Sequence, residues 1–309
     1  MPCASRSPSP ARAAPPSCSM ATGVGMRPTL RSIAAAQRGF TLVEMVMVIV
    51  ITGIIAGVVA TFIVSPIKGY ISTAARAGMV DNADLALRRM GRDLRSATPN
   101  SVRVAASGMS IEFIPLTGTA RYYTEGAGRL DFGTTDTAFD IIGPGLTLTA
   151  SQNLVFYNLG PTVTDANAYA DNSSALAQAS SNRRTSTTAA GTVTSITMSS
   201  SAGLPVNDTA PPYRVYAVNQ PVTYRCDLVA GTLTRYWNYG FVATQPDPPT
   251  GATTAIVAKG VSACTFSYDA SVVATRSGLI TLRLALAATS NGNTETVNLY
   301  HAVHVSNLP

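Results

Sequence analysis

The sequence predicts an α+β protein, one long N-terminal α-helix packed on an antiparallel β-sheet domain. Three observations predict it. Residues 45–64 run without a formal charge. Ala83, Leu87, Met90 and Leu94 then recur at spacings of four, three and four, which is one face of a helix. After Asn100 the chain changes to short runs of β-branched and aromatic residues divided by Gly, Asn and Ser. The 309 residues suffice for one sizeable domain or two small ones.

The formal charge of +6, from 22 Lys and Arg against 16 Asp and Glu, is unevenly placed. Arg6, Arg12, Arg27, Arg31 and Arg38 fall within residues 1–39, which contain no Lys, Asp or Glu. The remainder is close to neutral, so composition offers no nucleic-acid surface. Residues 1–39, rich in Pro, Ser, Ala and Arg, fit the charged leader of an exported protein rather than a folded unit. Met20 and Met26 are alternative starts within it.

A helix is expected over residues 40–97, with residues 42–64 in a membrane. At about 1.5 Å per residue the uncharged run spans about 30 Å, the thickness of a bilayer's hydrocarbon core. Arg38 before it and Lys68 after it supply polar ends. Glu44 is the anomaly, because a carboxylate entering lipid alone costs at least about 3 kcal/mol. A cation at the same depth would answer it. Cutting the chain between Gly39 and Phe40 would create an α-amine one helical turn from Glu44. That amine can meet the acid of its own chain or of a staggered neighbour, and the second pairing gives a reason to assemble.

Pro66 and Gly69 are expected to interrupt the helix and allow a kink. Residues 68–97 read as its amphipathic part, with Arg88, Arg89, Arg92, Asp93 and Arg95 largely off the apolar stripe, and Thr98-Pro99 ends it. Residues 98–309 read as the β-rich domain. "SVRV" and "MSIEFIP" form a hairpin, and "ARYYTE" and "GRLDFG" a second pair around Gly126–Gly128. Residues 161–210, dominated by Ser, Thr, Ala, Asn and Gly, read as a polar insertion of surface loops or a partly ordered excursion. Strands at Val222–Asp227 and Thr232–Trp237 join at Ala230-Gly231. A three-strand meander follows, with turns at Ser277-Gly278 and Asn291-Gly292.

The stretch "RGFTLVEM", residues 38–45, resembles the class III signal of type IV pilins and type II secretion pseudopilins. "GYISTAARAGMVDNADLALRRMGRDLRSATPNSVRV", "NLVFYNLG" and "VTYRCDLVAGTLTRYWNYG" are similar to minor pilin-like proteins of the MSHA pilus system, and more distantly to the larger minor pseudopilins of type II secretion. The resemblance implies a type IV pilin-like fold. It implies cleavage between Gly39 and Phe40 by a prepilin peptidase, N-methylation of Phe40, and a role for Glu44 in assembly. The implied partners are other pilin or pseudopilin subunits, the inner-membrane assembly platform and membrane lipid. The implied location is the inner membrane, with the β domain in the periplasm, and then the filament, with its tip suited to so large a subunit. An adhesin carried on a pilus is the reading from another class.

With Cys3 and Cys18 in the leader, Cys226 and Cys264 remain. In an oxidising compartment they favour one disulfide closing a loop of about 39 residues, worth about 3–4 kcal/mol in the chain-entropy model. No cysteine or histidine spacing suggests a metal, and no cofactor is implied. His301 and His304 are expected on opposite faces of one strand. Asp81 and Asp84 share a helix face, more in the manner of a surface ion network than of an acid/base pair. No catalytic motif is present, and the sequence argues against an enzyme.

Overall fold

The computed structural model describes residues 39–206, 211–273, 277–290 and 292–309. The chain divides into two compact units, Met1–Ala60 and Thr61–Pro309. Helix α1 runs Leu42–Arg95, and the described part of the first unit is its exposed apolar beginning. Helical backbone continues through Pro66 and Gly69, contrary to the expected interruption. Proline removes a single donor from the ladder. The carbonyl of Gly69 meanwhile accepts the hydroxyls of both Ser72 and Thr73, at 3.1 and 2.9 Å.

In chain order, β1 (Arg103–Val104), β2 (Ser110–Phe113), β3 (Leu116–Tyr122), β4 (Ala138–Ile142), β5 (Leu146–Leu148) and β6 (Asn153–Phe156) follow α1. Next come helix α2 (Ala175–Ala179), β7 (Arg183–Ser186), β8 (Gly191–Val193), β9 (Ser195–Ser199) and β10 (Arg214–Val218). The last strands are β11 (Val222–Asp227), β12 (Thr232–Trp237), β13 (Thr253–Lys259), β14 (Val261–Val273), β15 (Ser277–Ser290) and β16 (Asn293–Ser306). All their pairings are antiparallel.

Two β modules result. The first is a five-stranded sheet, β1-β2-β11-β12-β13, together with the β14-β15-β16 meander. The helical stripe Ala83, Leu87, Met90 and Leu94 is buried here against Ile111, Phe113, Tyr224, Leu233, Ile280 and Leu282. Gly91 sits mid-helix because a methyl there would lie 2.8 Å from His301 Nε2 on β16. The disulfide Cys226–Cys264 ties β11 to β14, so it joins the two sheets of this module. β11 and β12 have the expected bounds, with Gly231 at φ 62° in their turn. Ser277 and Gly278, expected in a turn, instead pair within β15 to Ser306 and Val305.

The second module is a closed barrel, β10-β3-β4-β9-β7-β6. It corrects two expectations. "GRLDFG" is not a strand; β3 pairs with β4 and β10, while Leu130 closes a loop by donating to the Tyr123 carbonyl at 2.9 Å. Residues 161–210 are no mere insertion, since β7 and β9 are barrel staves (residues 207–210 lie outside the described residues). A stave needs apolar residues only at alternate positions. In β9 those are Ile196 and Met198, which join Tyr122, Phe139 and Phe156 in the barrel core.

The polarity of β7 is satisfied inside. The Arg184 guanidinium is fully buried and donates to the carbonyls of Gln178, Ser181, Arg183, Ala202 and Gly203 at 2.8–3.1 Å. Arg183 donates to Ala168 and Ala170 and lies 3.8 Å over the Phe241 ring. Burial lowers the pKa of each arginine to about 10, which leaves both charged at neutral pH.

A buried ion pair anchors the first module. Arg103 Nε meets Glu112 Oε2 at 2.7 Å, and the other Arg103 nitrogens donate to Ala243 and Val242. Burial pushes the Glu112 carboxyl above its ordinary 4.5, while Arg103 and the Tyr239 hydroxyl pull it down. The native state therefore keeps that proton to higher pH than the unfolded chain does, and Glu112 subtracts stability as pH rises through this window. Arg103→Met removes the main opposing pull and raises the carboxyl further. We expect a loss of about 3–5 kcal/mol near neutral pH that shrinks toward acid pH, measured by denaturant unfolding across a pH series.

Candidate functional site

The first turn of α1 is built by a local device. Thr41 precedes the helix, and its Oγ1 accepts the Glu44 amide at 3.2 Å while its carbonyl accepts Met45 N–H at 3.1 Å. Thr41-Leu-Val-Glu is the capping-box spacing, which places Glu44 at the third helical position. There its negative charge is favoured by the helix dipole. The Glu44 carboxylate is exposed and has no hydrogen-bond or ionic partner among the described residues.

Everything around it is apolar and uncovered. Phe40 is 79% exposed and Leu42 81%, and the large apolar side chains of α1 stay exposed as far as Val64. Surface of that extent marks a membrane or protein contact. By length and composition α1 can cross a membrane. Gly39 and Phe40 lie just ahead of the helix, outside regular structure.

The other sequence candidates are dispersed. Asp84 accepts Arg88 Nε at 2.6 Å, an exposed i, i+4 pair. His301 faces α1 at Gly91, whereas His304 is exposed. Among the described residues no group of three or more His, Cys, Asp or Glu could hold a metal ion. Cys226 and Cys264 are both buried and bonded.

Two features escaped the sequence reading. One is the Thr41 cap, which was signalled by its spacing to Glu44. The other is Asp93 on α1, whose Oδ2 accepts the Tyr224 hydroxyl at 2.6 Å and Arg235 Nε at 3.2 Å, fastening the helix to β11 and β12. No local signal marks it. Burial and the Asp93 charge hold the Tyr224 hydroxyl well above its ordinary pKa.

A family model described as the prokaryotic N-terminal methylation motif matches residues 34–60. The match takes in Gly39, Phe40, Thr41 and Glu44, and it marks a type IV pilin-like prepilin signal. No curated protein and no solved structure matches the chain. The motif supports a pilin-like or pseudopilin subunit.

Replacing the cap tests the geometry of the first turn. Thr41→Ala should cost the helix start about 1 kcal/mol. Hydrogen exchange of the Glu44 amide in detergent micelles should then quicken roughly five-fold.

Proposed function

We propose that the chain is a minor pilin-like subunit of an MSHA-type pilus, a structural component that primes or caps filament assembly. A prepilin peptidase cuts between Gly39 and Phe40, and the new Phe40 amine is methylated. α1 then holds the subunit in the inner membrane with the β modules in the periplasm. On assembly, neighbouring subunits replace lipid around α1, and the Phe40 amine of one chain meets Glu44 of another. The assembly platform of the inner membrane would drive that exchange.

The observation that carries this reading is the Glu44 carboxylate, capped into the first turn of an exposed apolar helix and left without a partner among the described residues. A lone carboxylate entering lipid costs about 3 kcal/mol, which an intermolecular amine would offset. The two-module β domain supports a terminal position, because so large a body crowds a repeated shaft. The second reading, a type II secretion minor pseudopilin, shares every one of these steps and differs only in the filament joined.

The test is the intact mass and N-terminal sequence of membrane-extracted protein, together with its recovery in sheared filaments. Wild type should begin at methylated Phe40. Gly39→Ala should keep its leader, and Glu44→Leu should be processed yet fall at least about ten-fold in filaments, the equivalent of about 1.4 kcal/mol. A wild-type chain that keeps its leader beside an active peptidase would sink the proposal. Recovery with secretion filaments in place of pili would favour the second reading.

A further inference from the structure

A cleft of about 440 Å³ opens between the end of the five-stranded sheet and the rim of the barrel. Its volume lies within the range of small-molecule sites, about 300–1,000 Å³. Asn153, Asn219, Gln220, Arg235 and Trp237 line it, supported by buried Gln152. These residues come from the start of β6, the β10–β11 connection and β12. Among the described residues no carboxylate or histidine lines the cleft.

The chemistry of the walls is specific. Trp237, the only tryptophan in the chain, is half-buried and packs partly on the first module's core. Arg235 Cζ lies 5.1 Å from its ring centroid, and Arg235 Nε is held by Asp93. The terminal Arg235 nitrogens and the amides of Asn153 and Asn219 make no hydrogen bond within the chain among the described residues. Each free amide offers both an acceptor and two donors. Gln152 is fixed from behind, donating to the Val218 carbonyl and accepting from Thr149. Ser151 and Asn238, which also line the cleft, hold φ of 54° and 60°. Such conformations cost free energy and concentrate at ligand sites.

We infer that this cleft binds a neutral saccharide. An indole beside paired donors and acceptors suits a pyranose, whose apolar C–H face stacks on a ring while its hydroxyls meet planar amides. An anionic ligand is disfavoured, because Arg235 is the one cation lining the cleft among the described residues and Asp93, paired with its Nε, offsets its charge. An extended peptide is disfavoured as well. β2, β3, β6, β10, β11 and β12, the strands bordering the cleft, each pair on both edges, so no strand can be added there. This inference does not depend on the filament proposed above, since it concerns the β modules alone.

The single tryptophan makes the test direct. The full chain, in a detergent without a sugar head group, is titrated with cellotriose, maltotriose or chitotriose while its indole fluorescence is followed. Saturable change with at least one trisaccharide, at a Kd of about 0.1–10 mM, is expected. Asn153→Ala and Asn219→Ala, which keep the indole, should each weaken it about five- to ten-fold. Saturation-transfer NMR on the same sugar should be strongest on the C–H protons of one ring face. The inference is overturned by no saturable change with any of the three. It is equally overturned by a change that both variants leave intact, or by a response to poly-glutamate alone.

Discussion

The burial of one stripe of α1 against two sheets is the contact on which the rest of the domain depends. Leu87, Met90 and Leu94 are each essentially inaccessible, and burying each such side chain contributes about 1.5–3 kcal/mol. The same stripe touches residues of β2, β11, β12 and β15, so it holds the five-stranded sheet and the meander in one core. Asp93 adds direction to this apolar contact. It takes a hydroxyl from β11 and a guanidinium from β12, which sets the rotation of the helix about its axis.

The two modules solve the problem of buried charge differently. Arg103 and Glu112 neutralise each other, and the burial that raises the carboxyl's pKa is the cost of placing them inside. Arg184 has no carboxylate partner among the described residues, and carbonyl dipoles from five residues stand in for one. Because those carbonyls come from the α2 region, β7 and the turn after β9, one guanidinium organises three segments that carry few large apolar residues. A buried cation satisfied in this way gives a polar stretch a defined shape that hydrophobic burial alone would not supply.

Legibility in the sequence followed the range of the interactions. The helical stripe and the β11–β12 turn at Gly231 are local, so spacing alone exposes them; the cap at Thr41 is as local and was marked by its spacing to Glu44, yet it was missed. Cys226 and Cys264 were legible by a different route, as the only cysteines outside residues 1–39. The barrel was not legible. β10 pairs with β3 and β6 across long stretches of chain, and β9 presents just two large apolar residues inward. Residues 128–133 were mistaken for a strand because Leu130 and Phe132 are apolar, yet they pack on the barrel core from a loop. Gly39, Phe40 and Glu44 stood out as a contiguous motif, whereas Asn153, Asn219 and Trp237 meet only once the chain has folded.

The link between β11 and β14 has a mechanical side. Cys226 and Cys264 are 38 residues apart, so the bond withholds about 130 Å of contour length from any unfolding of this module by force. A load strong enough to peel the sheets from α1 can extend the chain before Cys226 and after Cys264, but not the segment between them. β12 and β13 lie inside that locked segment. Under tension the molecule thus lengthens in a limited step and then stiffens, as a short tether does when its slack is taken up.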